Sequence, residues 1–445
     1  MKNKFIYKVA VIGAGYIGSV LSGILACKGC KVYAIDINQK IVDSLNKGES
    51  PINEKGLNEL INEAVSDGSL VASNEFSLVK ECDVVLITVG TPLMEDGKAN
   101  EDAINQVISN LEPYLKDHQL IILKSTVPPF TTDKLATHIR KFADVYVAFC
   151  PERLAEGNAI KECLNIPIVV GGINEESSYH AEKFWRETIG VDVIQMNNAR
   201  SAELVKLADN AWIDLNIAIA FELAKLADKL GIDILPVIQA ANSLPKGASN
   251  VNILLPSVGV GGYCLTKDPW FLNAFAESFG SNFKTAITSR EVNEESPIYA
   301  ANKLDKVIKK ELNISNSCDI EIGILGLSFK NNTGDCRFTP TIKFIENLSS
   351  KNYKLKIYDP YIKKEDYQLF NFKNVKVVNS VEEVMSNSAV LAFLTGHKQF
   401  QKIKLSNLKK YLIKGAIVFD GRIYFSNEDI KMIKDSGFIY QGIGR

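Results

Sequence analysis

The segment 258–270 holds residue types that are suited to covalent chemistry. Three of the four residues 259–262 are glycines, Cys264 follows them, and Lys267 and Asp268 come next. Glycines at this density allow the backbone to approach another group closely. A thiol near a lysine and at the start of a helix ionises more readily, and a thiolate is a nucleophile. Spacing alone leaves two interpretations open, a reactive cysteine or a buried cysteine beside a glycine turn.

A second group of residues predicts a dinucleotide site near the start of the chain. Gly13, Gly15 and Gly18 form a GxGxxG turn that follows the apolar run 8–12, and Asp36 ends the next apolar run. In such turns the first glycine bends the chain, the second admits a pyrophosphate, and the third lets helix and strand pack. A carboxylate at Asp36 accepts hydrogen bonds from ribose hydroxyls and repels a 2′-phosphate, so NAD is favoured over NADP. The alternative is a glycine-rich turn that binds no ligand.

Apolar runs that alternate with helical patterns predict the elements that must position these residues. Such alternation indicates parallel strands with right-handed crossovers. The predicted strands are 8–12, 31–35, 83–89, 120–124 and 145–149, and, in a second series, 320–326, 354–358, 375–378, 389–394 and 416–419.

Between the two series, residues 198–230 predict one long helix. No Pro or Gly interrupts them, and Leu204, Leu207, Ala211 and Trp212 belong to an apolar stripe of period 3.6. We therefore expect an α/β fold, with two Rossmann-like doubly wound parallel-sheet domains joined by a long central helix and an α-helical middle domain. The expected domains are residues 1–197, 198–300 and 301–445.

Composition excludes several kinds of protein. The net charge is −1, which gives no reason to expect nucleic acid or an anionic membrane as a partner. No apolar stretch is long enough to span a bilayer, and glycines interrupt the first apolar run, so we expect a cytoplasmic protein. None of the four histidines has metal-ligand spacing with another His or Cys, so no metal is expected. Cys27 and Cys30 form a CxxC that is better explained as a helix end.

Six segments resemble motifs of the UDP-glucose and GDP-mannose dehydrogenase family, and together with the GxGxxG turn they extend over nearly the whole chain. Residues 259–268 resemble its GxGGxCxxKD loop, residues 151–157 its PExxxEG, and residues 329–337 its FKxxTxDxR. The other three are residues 123–128, 202–210 and 419–422. The cysteine loop and the segment 329–337 are specific on their own.

The resemblance implies a four-electron oxidation of a sugar CH2OH to a carboxylate with two NAD+. Cys264 would capture the aldehyde as a thiohemiacetal and then carry a thioester, which water hydrolyses. Lys206 and Asn210, at i and i+4 on one helix face, would stabilise an oxyanion; without the resemblance they would form a solvated polar stripe.

Water and proton transfer fall to three further residues. Asp268 and Thr126 would orient a water molecule, and Glu152 is a candidate base for thioester hydrolysis. The division of proton transfers between Glu152 and Asp268 stays open.

The resemblance also implies binding residues. Those expected at the cofactor are Gly13, Gly15, Tyr16, Ile17, Gly18, Asp36, Gly90, Thr91, Ser125, Thr126, Lys267 and Arg337. Those expected at the substrate are Glu152, Arg153, Leu154, Lys206, Asn210, Gly261, Lys330 and Arg422. Lys330, Arg337 and Arg422 are donors suited to phosphate or sugar oxygens. Residues 324–326 form half of a Rossmann turn, which suits a nucleotide diphosphate better than a second NAD.

The sequence departs from the family's pattern where the sugar is recognised. Residues 241–253 contain no arginine, although the family usually has one there that reaches the substrate; Lys246 is the candidate replacement but lacks the bidentate fork. Tyr263 stands where glucose-type members have Ser and N-acetylhexosamine-type members have His. Residues 251–253, 268–270 and 396–400 favour the N-acetylhexosamine branch, whereas Lys267 favours the other. A UDP-N-acetylhexosamine is therefore the expected substrate, with UDP-glucose as the alternative.

The long helix also predicts a subunit interface, hence a homodimer or a dimer-based oligomer. Two other classes of protein compete with this interpretation. A two-electron β-hydroxyacid-type dehydrogenase has a similar domain order but would not need Cys264. A catalytically silent dinucleotide-binding protein would have lost Cys264, Lys206 or Asn210, and all three are present.

Overall fold

The computed structural model describes residues 5–312, 317–363, 367 and 374–445. The chain forms two compact units: the first ends at Asp209 and also includes Trp270–Asn282, and the second comprises Asn210–Pro269 and Phe283–Arg445. The three predicted domain ranges stay a prediction. In the described part of the chain, no helix is both long and apolar enough to cross a membrane. The cytoplasmic location likewise stays a prediction.

The first unit is built on a sheet of eight strands. The strands are β1 (Lys8–Ile12), β2 (Lys31–Ile35), β3 (Leu70–Ser73), β4 (Val84–Ile87), β5 (Leu120–Leu123), β6 (Tyr146–Phe149), β7 (Ile168–Gly172) and β8 (Val193–Gln195). Their order is β3-β2-β1-β4-β5-β6-β7-β8, so the strand order reverses between β1 and β4. The predicted limits of β1 and β2 are confirmed, and those of β4, β5 and β6 lie within one or two residues of the prediction.

The predicted parallel pairing is confirmed from β3 across to β6, and β7, which is not among the predicted strands, pairs antiparallel with β6. Parallel pairing needs a crossover connection, which is usually a helix that covers the sheet. The connection from β6 to β7 contains only the five-residue helix α6 (Ala159–Cys163), which is too short for that role. The strands β3, β7 and β8 lie outside the ranges predicted as strands.

Helices cover both faces of this sheet. They are α1 (Tyr16–Cys27), α2 (Gln39–Asn46), α3 (Leu57–Ser66), α4 (Asp102–Leu111), α5 (Thr131–Ile139), α6, and α7 (Glu175–Thr188). Along β1, Val9 and Val11 belong to one apolar cluster, while Ala10 and Ile12 belong to another. Because both faces are buried, the strand is a continuous apolar run instead of an alternating one.

Helix α8 spans Ala199–Leu230, in agreement with the predicted long helix. Its apolar stripe, however, does not all face a core. Leu207 is fully buried, whereas Leu204 and Trp212 are exposed. The stripe predicted from periodicity therefore divides into a core-facing part and an exposed part, a division that spacing on one helix cannot reveal.

The second unit contains the other helices, a hairpin and a parallel sheet. The helices are α9 (Ile234–Asn242), α10 (Tyr263–Glu277, which continues into the first unit), α11 (Lys284–Glu311), α12 (Pro340–Ser350), α13 (Val381–Met385) and α14 (Asn427–Asp435), and the hairpin is β9 (Pro245–Lys246) with β10 (Ser249–Asn250). The sheet strands are β11 (Glu321–Leu325), β12 (Lys354–Tyr358), β13 (Val375–Val377), β14 (Val390–Phe393), β15 (Ile417–Asp420) and β16 (Ile439–Gly442). Their order is β13-β12-β11-β14-β15-β16, which reverses between β11 and β14.

Candidate active site

The GxGxxG turn joins β1 to α1, and the structure gives a different explanation for the glycine at each of its three positions. Gly13 has φ +90°, in the left-handed region. A Cβ on Gly18 would lie 1.8 Å from the carbonyl oxygen of Gly13, so close packing of helix against strand requires glycine there. A Cβ on Gly15 would meet no atom within 4 Å, so packing does not explain that glycine. Tyr16 and Ile17 lie in the first turn of α1. The open space in front of this turn fits a pyrophosphate.

Asp36 lies directly after β2, at the edge where the carboxyl ends of the strands meet. One of its carboxylate oxygens accepts a hydrogen bond from the Ala14 N–H at 2.7 Å, and the other accepts one from the Asn38 N–H at 2.8 Å. The carboxylate is thus fixed beside the glycine turn and keeps lone pairs for ribose hydroxyls. This arrangement fits the adenosine end of NAD.

The loops after β4 and β5 border the same edge of the sheet and are tied together. Thr91 donates to the carbonyl of Thr126 at 2.7 Å, and the buried Ser125 hydroxyl donates to the carbonyl of Val89 at 2.7 Å. Gly90 is exposed, and a Cβ there would meet nothing within 4 Å. Ligands bind in such sheets where the strand order reverses, which here lies between β1 and β4. The expected cofactor residues Gly90, Thr91, Ser125 and Thr126 are therefore brought to the edge that carries the GxGxxG turn.

Tyr16 connects the glycine turn to the loop that follows β6. Its hydroxyl is bonded to the carboxylate of Glu54, which is almost fully buried. The same carboxylate accepts from the N–H of Gly157 at 2.7 Å and from the N–H of Ala159 at 3.1 Å. Burial and the bond to Glu54 both raise the pKa of Tyr16. Sequence reasoning missed Glu54, because its partners lie 38 and about a hundred residues away in the chain.

Glu152 is the first acidic residue of that loop. One of its carboxylate oxygens accepts from the Leu154 N–H at 2.9 Å, and the other lies 3.4 Å from the ammonium of the buried Lys124. Arg153, expected at the substrate, donates instead to the carbonyl of Pro167. Arg153 therefore links the loop after β6 to Pro167. Its expected contact with the substrate stays a prediction.

Lys206 and Asn210 lie one turn apart on α8, and both are buried. The alternative of a solvated polar stripe is therefore wrong. The Asn210 amide donates to the carboxylate of Asp268, which is fully buried, and Lys267 donates to the other oxygen of Asp268 at 2.6 Å. Asp268 thus fixes an amide and a cation at once, a role that sequence spacing did not reveal. Lys267 was expected at the cofactor, and its bond to Asp268 is what the structure shows.

Cys264 is exposed and is the second residue of α10, so it lies in the first turn of a helix as predicted. Asp268 is four residues further along α10, on the same face. The glycine loop before Cys264 packs within the second unit. A Cβ on Gly261 would lie 2.4 Å from Cβ of Phe329, and the Gly262 N–H donates to the carbonyl of Arg337 at 3.0 Å. Gly261 is thus required for packing.

The reversal between β11 and β14 gives the second sheet a binding edge of its own. Lys330 follows β11, half-buried. Arg422 follows β15, and its guanidinium donates to the carbonyls of Leu394 and Phe329 at 2.8 and 2.9 Å. Arg337 forms a bidentate pair with Asp335 and lies over the ring of Tyr263. Of these three residues, expected for phosphate or sugar oxygens, two are thus bonded within the chain.

A buried polar network orders this edge, and sequence reasoning missed it. His397 is fully buried and lies 3.0 Å from the carboxylate of Asp359, which also accepts from the hydroxyl of Ser328 at 2.9 Å. Burial opposes ionisation of Asp359, but His397 and backbone N–H groups outweigh it and lower the pKa of this carboxyl. Asn331 and Asn332 accept hydrogen bonds from residues 396 and 398. The segment 396–400 therefore shapes the loop after β11.

The segment 241–253 is held by two asparagines that belong to helices. Asn242 bonds both the N–H and the carbonyl of Ile253, and Asn216 accepts from the Leu254 N–H at 2.8 Å. Lys246, the candidate replacement for the family's arginine, lies exposed in the hairpin β9–β10. Among the described residues, no group of three or more His, Cys, Asp or Glu is arranged to hold a metal ion.

Comparison with known proteins gives matches along most of the chain. Residues 7–189, 200–295 and 323–427 match the NAD binding, central and UDP binding domains of the UDP-glucose/GDP-mannose dehydrogenase family. A UDP-N-acetyl-D-mannosamine dehydrogenase of Methanococcus aeolicus is 36% identical over 426 residues, which are 94% of this chain and 92% of the relative.

Two solved structures are similar over their whole length. A UDP-D-ManNAc dehydrogenase from Pyrococcus horikoshii matches with a TM-score of 0.87 at 31% identity, covering 98% of this chain and 99% of the other. A UDP-glucose dehydrogenase from Pyrobaculum islandicum matches with a TM-score of 0.86 at 26% identity, covering 100% and 99%.

Proposed function

The chain belongs to the UDP-glucose/GDP-mannose dehydrogenase family, and we propose from this that it oxidises C6 of UDP-N-acetyl-D-mannosamine from CH2OH to carboxylate. The observation that carries the proposal is the burial of Lys206 and Asn210, with Asn210 bonded to an aspartate on the helix of Cys264. The balanced reaction takes one alcohol, one water and two NAD+ to one carboxylate, two NADH and three protons.

NAD is the cofactor of the family's first domain, which this chain has, and when bound it takes up two electrons in each oxidation. The residues that would hold it are Gly15 and the N–H groups at the start of α1 for the pyrophosphate, and Asp36 for the adenosine ribose. The tied loops after β4 and β5 supply Thr91, Ser125 and Thr126.

Cys264 is proposed as the nucleophile. Its sulfur adds to the C6 aldehyde that the first oxidation produces, and the aldehyde oxygen takes a proton to give a thiohemiacetal. The second oxidation turns this adduct into a thioester, and hydrolysis breaks the C–S bond and returns the thiolate. The covalent bond keeps the aldehyde in place while spent cofactor is exchanged. The position of Cys264 in the first turn of α10 supports this role, because a helix start stabilises a thiolate.

Lys206 and Asn210 are proposed to stabilise the oxyanions. The ammonium and the amide are both removed from bulk water. In such a buried site these donors stabilise a developing negative charge more strongly than they would in water. Asp268 holds Asn210 in one orientation before the reaction begins.

Glu152 is proposed as the base that activates water for thioester hydrolysis. Its carboxylate is fixed through both oxygens, one by Leu154 and one by Lys124. Thr126 is proposed to orient the same water. The carboxylate of Asp268 accepts hydrogen bonds from both Asn210 and Lys267. We therefore propose that Asp268 positions these two residues, and we assign it no proton transfer.

The second sheet is proposed to bind the UDP part of the substrate, as its family domain does. Lys330 and Arg422, after β11 and β15, are the proposed donors to phosphate or sugar oxygens, and Gly261 lets the glycine loop lie against the same segment. Arg153 and Leu154, beside Glu152, are proposed to contact the sugar. Arg337, which lies over the ring of Tyr263, is proposed as a further donor to phosphate or sugar oxygens.

A second candidate substrate is UDP-glucose, favoured by the similarity to the Pyrobaculum islandicum structure. The test is a panel of UDP-N-acetyl-D-mannosamine, UDP-N-acetyl-D-glucosamine, UDP-glucose and GDP-mannose with NAD+, scored by initial NADH formation. We expect kcat/KM for UDP-N-acetyl-D-mannosamine to exceed that for each other sugar at least about tenfold, or about 1.4 kcal/mol. A preference for UDP-glucose would contradict the assignment while leaving the chemistry intact.

We also propose a homodimer or dimer-based oligomer built on α8. Trp212, Ile219, Leu226 and Leu230 are exposed and lie on one face at nearly heptad spacing. A stripe of this kind on a 32-residue helix suits the same stripe of a second copy.

A further inference from the structure

Lys124 is a buried cation directly after β5 that has no role in the proposed chemical steps. Its side chain is 5% exposed. The ammonium lies 3.3 Å from the carbonyl of Cys150, 3.4 Å from the carboxylate of Glu152 and 5.2 Å from the centre of the Trp185 ring. Cys150 and Glu152 lie in the loop that follows β6, and Trp185 lies in α7, so two segments converge on one ammonium.

The energetics of burial make this arrangement specific. Removing an ammonium from water costs several kcal/mol unless an anion and hydrogen-bond acceptors replace the solvent. Glu152 supplies the anion, and the Cys150 carbonyl supplies an acceptor. In return, the cation restricts the carboxylate: Oε2 of Glu152 faces Lys124 while Oε1 is bonded to the Leu154 N–H.

The far end of the same loop is held independently. Glu54 accepts from the N–H groups of Gly157 and Ala159 and is bonded to Tyr16. Removing Lys124 would therefore leave the loop attached at residues 157–159 while releasing the carboxylate of Glu152. This separation makes a selective effect on Glu152 possible.

We propose that Lys124 is a positioning residue that holds the carboxylate of Glu152 in the orientation needed for thioester hydrolysis. The inference rests on the proposed function. Lys124 itself is not proposed to touch sugar or cofactor. It therefore acts on the last chemical step only, and the two oxidations do not depend on it.

The test uses the full-length enzyme, UDP-N-acetyl-D-mannosamine and NAD+ under rapid mixing. For Lys124→Met we expect a burst of two NADH per active site at a rate within about threefold of the parent. Uronate release should then be slower by about 30-fold or more, with a thioester adduct on Cys264 visible by intact mass. Lys124→Arg keeps the charge and should retain hydrolysis within about fivefold.

A control variant removes another largely buried cation that is paired with a carboxylate. Lys303 pairs with Asp228 in the second unit, and Lys303→Met should not slow hydrolysis selectively. Equal slowing of burst and hydrolysis in Lys124→Met, or no slowing at all, would overturn the proposal.

Two further measurements keep the outcome decisive. If Lys124→Met does not fold, Glu152→Gln is compared with the double variant Lys124→Met/Glu152→Gln, which buries no unpaired charge. Because Lys124 acts through Glu152, the two should hydrolyse the thioester equally, and a further loss in the double variant would refute that route. Failure of the proposed function itself shows differently, since the parent enzyme would then form no NADH with this sugar, or only one NADH per product.

Discussion

Asp36 is the residue that we propose sets the preference of the first unit for NAD+ over NADP+. Its carboxylate is fixed by the N–H groups of Ala14 and Asn38 and bears a charge that would repel a 2′-phosphate. We expect kcat/KM for NAD+ to exceed that for NADP+ at least about a hundredfold, or about 2.7 kcal/mol. Asp36→Asn keeps an acceptor oxygen but loses the charge, so the ratio should shrink at least about tenfold. Comparable kcat/KM values for the two cofactors in the parent enzyme would remove the basis for this assignment.

Residues whose roles depend on near neighbours could be predicted from the sequence, and those with distant partners could not. Gly13, Gly15 and Gly18 have the conformations and surroundings that their spacing predicts. Lys124 is adjacent to Ser125 in a recognised motif, yet its significance comes from Glu152, 28 residues away. His397 lies in the segment 396–400, and its bonds to Ser328 and Asp359 join the loops that follow three different strands. Pairings of this kind are fixed by the sheet topology.

At the scale of elements, α8 caps α5 through a buried carboxylate. The N-cap of α5, Phe130, has no side-chain cap of its own and a φ of +77°. Glu203 on α8 accepts instead from the N–H groups of Phe130 and Thr132 and from the Thr132 hydroxyl, at 2.7 to 2.8 Å. Burial raises the pKa of Glu203 to about 7, although these hydrogen bonds oppose the shift. This contact fixes the first turn of α5 just after the loop that holds Thr126.

The raised pKa of Glu203 predicts a pH dependence of stability. The folded state binds the proton more tightly than the unfolded state, so this contribution is fully present below about pH 4.5 and is lost as pH rises through about 7. The free energy of unfolding should fall by on the order of 3 kcal/mol from this group. Urea unfolding of the parent and of Glu203→Gln at pH 5, 6, 7 and 8 measures it. The difference between the free energies of unfolding of the two proteins should shrink as pH rises. A difference that stays constant with pH would contradict the assignment.

Element limits were predictable where a buried strand is bounded by turn residues, as in β1 and β2. The antiparallel pairing of β7 was not, because it depends on a connection whose single short helix does not cross the sheet. The exposure of Trp212 shows the same limit for helices: a period of 3.6 identifies an apolar face without identifying what covers it.

At the scale of the whole molecule, the exposed stripe on α8 predicts self-association. We expect a dimer or a multiple of it at micromolar concentration, measured by size exclusion with light scattering. The double variant Trp212→Glu/Leu226→Glu places charges in the stripe and should shift the mass to that of one chain. Met432→Glu changes a similarly exposed apolar residue on α14 and is the matched control. A parent protein that is monomeric at that concentration, or a double variant that still associates, would contradict the proposed interface.

The number of NADH formed per uronate distinguishes a four-electron oxidation through a thioester on Cys264 from a two-electron oxidation. We expect two NADH per uronate, and we expect Cys264→Ala to lose at least about a thousandfold in kcat, or about 4 kcal/mol, while still binding NAD and nucleotide sugar. Cys264→Ser should accumulate a covalent sugar ester that intact-mass measurement detects, because an ester hydrolyses far more slowly than a thioester. One NADH per product, or near-normal turnover of Cys264→Ala, would contradict the mechanism and favour a two-electron dehydrogenase on the same fold.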